Sequence, residues 1–307
     1  MPVQWLHQKS PSTNEALPYS GNLLIDNFRS ADLDDGRKTF NIVASDYEIA
    51  TKLLESFSKF ENAFQNLRIR FGWIEDERRD VSDSYISEGD SLIIGKNTDI
   101  MRFLKVPDVK TLHLSSISRN EEVHIGFQRH FKSHKNPASI ALGELREDIA
   151  HSETQIRKAE RIHFHIDALR REDSHSEHSH IAGLDIFQCC QLMRLAGLSP
   201  RLTLTCINVV DKDITQTTAD AVALLTWYFL EGQINKEIET MKQKENDIFL
   251  VNSDLFEEPI KFVVGHKTGR WWYQNPNTKE YVPCSELDYK AILTGNLPDA
   301  ICALEHA

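Results

Sequence analysis

Residues Arg161–Asp173 run RIHFHIDALRRED. Polar and apolar side chains alternate over the first seven. That period of two predicts a β-strand with His163, His165 and Asp167 on one face. The loop Ser174–His180 (SHSEHSH) then adds His175, His178 and His180. Asp185–Ala196 carries Ile186, Cys189, Cys190, Met193 and Leu195 as the buried set of an amphipathic helix. Leu202–Val210 reads as a second strand. Thr217–Leu230 (TTADAVALLTWYFL) is strongly apolar and too long for a strand, so it reads as a second helix. Alternating strands and helices predict an α/β fold with a mostly parallel sheet covered on both faces. Ligands in such folds bind beyond the carboxyl ends of the strands.

Upstream the same alternation continues. Strands are expected at Phe40–Ala44, Leu67–Trp73, Ser91–Ile94, Val109–Leu114 and Val123–Phe127, with a short one at Asn22–Asp26. Helices are expected at Ile49–Phe60 and over 141–159. Residues 1–36 read as a polar N-terminal extension, 37–241 as the α/β domain, and 242–307 as a C-terminal appendix packed on it. The charged stretch Lys242–Asp247 reads as the linker. In the appendix, Ile260–His266 and Trp271–Gln274 form an expected hairpin, with a third strand at Tyr281–Pro283. A strand through Trp271 and Trp272 sends the two indoles to opposite faces, which favours packing over a ligand platform.

The chain has 307 residues, 40% hydrophobic and 26% charged, which is ordinary globular composition. Its net charge of −11 argues against nucleic acid and anionic membranes as partners. No apolar run reaches transmembrane length, and the first residues lack the basic and apolar pattern of a secretory signal. Five cysteines, an odd number without a C-x-x-C pair, fit reduced thiols in a cytoplasmic protein. There is no G-x-S-x-G, P-loop or G-x-G-x-x-G motif. Gly265–Gly269 (GHKTG) lies in an expected hairpin turn rather than between a strand and a helix.

The segment Arg161–Asp173 resembles the S-F-D-x-D-A-x-x-P stretch of the ureohydrolases, the arginase, agmatinase and formimidoylglutamase superfamily. Ser91–Ile100 (SLIIGKNTDI) resembles the strand and G-G-x-H-D-L of that family. Gly183–Leu198 is similar to the helix after its active-site loop, and Arg201–Leu230 to its E-V-N-P strand and long helix. Trp227–Phe229, Arg270–Trp272 and Pro283–Tyr289 are similar to elements of the formimidoylglutamase-like branch found in Bacteroidetes-type bacteria. The likeness spans roughly residues 85–295. It implies a three-layer α/β/α arginase-like fold and homo-oligomers, commonly trimers or hexamers.

The resemblance also implies a chemistry. These enzymes hydrolyse a guanidino or formimino carbon with two Mn²⁺ ions bridged by hydroxide, which lower the pKa of the attacking water and hold it in place. Matched by position, the histidine of G-G-x-H-D falls at Thr98. The ligands of D-A-H-x-D fall at Ser115, Ile117 and Arg119, and the aspartates of S-F-D-x-D at His165 and Asp167. The glutamate of E-V-N-P falls near Asn208. Only Asp167 keeps the family's residue, and of the five changed positions only His165 still offers a metal donor. The guanidinium of Arg119 stays protonated and would supply the positive charge of the lost metal, paired with Asp167. The loop after D-A-H-x-D is reduced to Asn120–Val123.

The expectation is therefore an arginase-like protein without its manganese site, a non-catalytic scaffold or ligand-binding relative with no cofactor. A ligand-binding relative would hold a small molecule in the vestigial pocket. The alternative is an active amidine hydrolase with an unusual or single Mn, Zn or Ni site. Its ligands would come from His163, His165, Asp167, His175, His178 and His180, since imidazole and carboxylate together suit these metals.

Overall fold

The computed structural model describes residues 4–6, 22–26, 38–44, 47–59, 67–73, 91–95, 111–115, 139–140, 142–147, 149–159, 161–175, 179, 181–202, 204–208, 214–236, 246–252 and 258–296. The expected strand at Val123–Phe127 lies outside them. Strands β1 (Gln4–Leu6), β2 (Asn22–Asp26) and β3 (Lys38–Ala44) precede helix α1 (Tyr47–Ser58). Then come β4 (Leu67–Trp73), β5 (Ser91–Gly95), β6 (Thr111–Ser115) and β7 (Ser139–Ile140). Helices α2 (Leu142–Glu147) and α3 (Glu153–Lys158) lead to β8 (Arg161–His165) and α4 (Arg171–Ser174). The long helices α5 (Ile186–Leu198) and α6 (Gln216–Ile234) flank β9 (Leu204–Asn208). The C-terminal part holds β10 (Asp247–Val251), β11 (Ile260–Val264), β12 (Trp271–Gln274), β13 (Tyr281–Cys284) and α7 (Glu286–Leu293).

The fold is α/β. Nine strands form one sheet in the order β1-β4-β3-β2-β9-β8-β5-β6-β7. β2 runs antiparallel to both neighbours, and the other pairings are parallel. β8 is covered on both faces: Ile162 and Phe164 point one way and His165 the other, and none is more than 1% exposed. A parallel strand needs that double cover, because neither face can be left to water.

The helix expected over 141–159 is broken. A 3₁₀ turn at Ile149–Ser152 separates α2 from α3, and the Ser152 hydroxyl donates to the Ile149 carbonyl at 2.6 Å. The long helices meet expectation more closely. α5 starts at a capping box in which Asp185 accepts from the Gln188 amide at 2.8 Å and Gln188 accepts from the Asp185 amide at 3.1 Å. α5 and α6 cross at two glycines. A Cβ on Gly197 would lie 2.1 Å from the Phe229 carbonyl oxygen, so only glycine allows this approach.

The appendix is a four-stranded antiparallel sheet, β10-β11-β12-β13, rather than a hairpin with a third strand. The reading of Lys242–Asp247 as linker runs one residue too far, since Asp247 pairs with Val264. Trp272 is buried beneath the Arg157 guanidinium, 4.6 Å from its ring centre. Trp271 packs against Tyr289 at 4.9 Å and Phe249 at 5.5 Å. Both tryptophans therefore pack. Among the described residues, no helix is long and apolar enough to cross a membrane.

Candidate functional site

The four central strands β6, β5, β8 and β9 start and stop in step. Ser91 pairs with Thr111 and with Arg161, and Arg161 pairs with Leu204. At the other end Gly95 pairs with Ser115, and His165 with Asn208. With Ile94 opposite Phe164, positions 115, 95, 165 and 208 form one row along the carboxyl rim. The rim is where such folds bind ligands. Three of the positions singled out in the sequence, Ser115, His165 and Asn208, stand in that row.

The rest are placed differently. His163 sits two residues inside the rim, opposite Ile93 and Cys206. The two-residue alternation stops at His165, because Ile166–Ala168 is a 3₁₀ turn, so Asp167 lies in that turn and not on the strand. His165 is 1% exposed, whereas His175 is exposed and adopts the left-handed conformation, φ 51°, at the end of α4. Thr98, Ile117, Arg119, His178 and His180 lie outside the described residues. Among the described residues, no three His, Cys, Asp or Glu side chains gather as a metal site would require.

The loop that follows β8 is closed at its neck by two backbone hydrogen bonds. Arg170 N donates to Leu184 O and Leu184 N donates to Ala168 O, both at 2.8 Å. Gly183 sits in the neck: a Cβ there would lie 2.4 Å from Arg170 N and 2.5 Å from Leu169 C. The Arg146 guanidinium donates to the Gly183 carbonyl at 2.7 Å. Within the loop, Asp173 receives the Arg170 guanidinium at 2.7 Å and the Ile186 amide at 3.0 Å. That carboxylate answers an otherwise unpaired amide at the positive end of α5. The hydrogen bond and charge of Asp173 raise the Arg170 pKa further.

Buried hydroxyls join Ser174 to Ser179 and to α6. Ser174 donates to Ser179 at 2.6 Å, and Thr218 of α6 donates to the Ser174 carbonyl at 2.8 Å. Ser174, Ser179 and Thr218 are all nearly inaccessible. Neither this anchor nor the Asp173 cap was visible from motifs. The available signal was an aspartate and a serine flanking the histidines, ordinary turn formers on their own.

Cys189 and Cys190 are buried in the core. Burial pushes the Cys190 thiol up to about 12, and burial with the neighbouring Cys190 drives Cys189 well above its ordinary value. A thiol held protonated at neutral pH is neither a nucleophile nor a ready metal ligand.

No family model matches the chain, and no curated protein matches it. Solved structures similar to it include formimidoylglutamase from Bacillus subtilis, at 13% identity over 62% of this chain and 68% of that one, with a TM-score of 0.42. Trypanosoma cruzi formiminoglutamase with Mn²⁺ at pH 6.0 is 10% identical over 69% of this chain and 97% of that one, with a TM-score of 0.49. Arginase from Bacillus cereus is 11% identical over 62% of this chain and 78% of that one, with a TM-score of 0.38.

Proposed function

We propose that this chain is a ureohydrolase-like protein of three-layer α/β/α build that has given up amidine hydrolysis and serves as a non-catalytic scaffold or ligand-binding relative. The observation that carries the reading is the donor set along the rim row. Among the described residues, Ser115, Gly95, His165 and Asn208 occupy that row, residue types that bring one hydroxyl, one imidazole and one amide and no carboxylate. Two adjacent dications need several carboxylates and imidazoles to neutralise them and to generate a bridging hydroxide. These residues do not fit a binuclear manganese centre, and no hydrolytic step is derived through one. The Arg119 guanidinium, paired with Asp167, takes over the positive charge of the missing metal in this reading. A double-mutant cycle on that pair measured by unfolding tests it: full additivity would reject the pair.

The decisive assay incubates the full chain with Mn²⁺ and with arginine, agmatine or formimidoylglutamate, following urea, ammonia or formamide. The proposal expects no turnover above the protein-free rate, and turnover lost on His165→Ala would overturn it.

We also propose a cytoplasmic homo-oligomer. Supporting this, Ile248 (55%), Leu250 (69%), Ile181 (74%) and Phe187 (71%) are largely exposed in the single chain. Ile248 and Leu250 lie two apart on one face of β10, the kind of contiguous apolar strip that a partner covers. Light scattering that gives the monomer mass at all concentrations would reject the assembly.

A further inference from the structure

A second concave site lies where the C-terminal sheet docks on the α/β domain. It is a cleft of ≈ 390 Å³ whose lining includes Glu153 and Arg157 of α3, Leu195 and Leu198 of α5, and Arg270 and Trp271 at the start of β12. None of the rim positions belongs to it. The volume falls within the range that holds a small molecule.

The chemistry of the walls is specific. The Glu153 carboxylate is gripped from two sides, by the Arg157 guanidinium at 3.1 Å and by Arg270 Nε at 3.1 Å. Arg157 is 1% exposed and also donates to the Cys284 carbonyl at 3.0 Å. The side chains of Arg270 and Glu153 are 13% and 19% exposed, so this group of charges is largely withdrawn from water. Arg270 spends a terminal N–H on the Leu198 carbonyl at 3.4 Å, the long end of hydrogen-bonding distance. A carboxylate is a stronger acceptor than a neutral carbonyl and matches the planar guanidinium fork, so it would win that donor. Leu195, Leu198 and Trp271 supply an apolar wall next to the fork.

We propose that this cleft binds a small organic carboxylate with a short aliphatic stem, its head on Arg270 and its stem against Leu195, Leu198 and Trp271. The inference is independent of whether the rim is catalytic, and it concerns different residues.

The test is calorimetric titration of the full chain with sodium valerate, with valeramide and with sodium phosphate. The expected result is saturable valerate binding in the region of about 1 mM, with valeramide and phosphate each at least tenfold weaker. One lacks the charge and the other the stem. Arg270→Gln should weaken valerate by about tenfold or more, and Arg270→Lys should fall between, because it keeps the charge and loses the fork. Absence of saturable valerate binding, equal binding of valerate and valeramide, or a folded Arg270→Gln protein with unchanged affinity would each overturn the proposal. If Arg270→Gln fails to fold, the valerate–valeramide comparison on the unaltered chain decides the matter alone.

Discussion

Replacing Gly183 by alanine tests the neck of the loop that follows β8. The new Cβ would meet Arg170 N at 2.4 Å, Leu169 C at 2.5 Å and Arg170 Cα at 2.7 Å. All three are backbone atoms, so no side-chain rotation relieves the overlap. The neck must open by about an ångström from ordinary carbon contact. Opening strains two hydrogen bonds of 2.8 Å, Arg170 N to Leu184 O and Leu184 N to Ala168 O. Each is worth roughly 0.5–1.5 kcal/mol net, and overpacking adds about 1–3 kcal/mol. The expected destabilisation is therefore about 2–6 kcal/mol. Urea unfolding followed by circular dichroism and tryptophan emission should show a midpoint lower by roughly 1 M or more. Hydrogen exchange at the Arg170 and Leu184 amides should quicken. Gly143→Ala is the control, because nothing lies within 4 Å of its Cβ and it sits exposed in α2. Alanine there, in the first turn of a short helix, should leave stability within about 0.5 kcal/mol of the parent. A Gly183→Ala midpoint indistinguishable from the parent, with unchanged exchange at the neck, would refute the reasoning.

Gly197→Ala should destabilise by about 3 kcal/mol through the α5–α6 crossing, since its Cβ would meet the Phe229 carbonyl oxygen at 2.1 Å; the same denaturation assay measures it. Asp173→Ala removes the acceptor of the Ile186 amide and the partner of Arg170, and a drop of about 1–2 kcal/mol is expected from the lost cap. Asp220 sets a pH dependence. Burial raises its pKa, but hydrogen bonds from Lys59, Ser56 and Gln216 outweigh that and hold it below the usual carboxylate value. A depressed folded-state pKa gives stability above the unfolded value near ~3.9 and loses it as pH falls through the folded value. This largely solvated site contributes under about 1 kcal/mol, so Asp220→Asn should flatten the acid limb of the stability curve only slightly. Alkylation at neutral pH should leave Cys189, Cys190 and Cys284 unmodified in the folded chain and modify them in urea, as peptide mass mapping would show.

Where local pattern and tertiary demand agree, the sequence reads directly. β8 alternates in sequence, and Ile162, Phe164 and His165 are all buried. The stretch Gln216–Ile234 is apolar nearly all round, and eleven of its residues are buried, so it can only be an interior helix. β10 was illegible for the opposite reason. Four of its five residues are exposed, so no burial period marks it, and pairing with β11 alone makes it a strand. The break between α2 and α3 is a 3₁₀ turn, Ile149–Ser152, in which the Ser152 hydroxyl bonds a carbonyl three residues back. Such a bond leaves no periodic trace.

The candidate site divides the same way. Its rim positions follow once the strands are known to run parallel and in step, because Ser115, His165 and Asn208 then fall in one row. Continuing the alternation to Asp167 failed, since the chain leaves the strand at His165. The Glu153–Arg157–Arg270 cluster joins α3 to β12 across a long stretch of chain. Only docking of the C-terminal sheet creates it, and no spacing rule anticipates such a contact.

The most direct test of the central claim is metal stoichiometry. The full chain would be dialysed against Mn²⁺ at mildly alkaline pH, gel-filtered into metal-free buffer and measured by plasma mass spectrometry. If the one imidazole, one hydroxyl and one amide among the described rim positions are the donors, as proposed, the chain should retain far less than one Mn²⁺, and Mn²⁺ should leave the melting temperature unchanged. Two Mn²⁺ per chain, with the exchange-coupled resonance spectrum of ions roughly 3.5–4 Å apart, would contradict it.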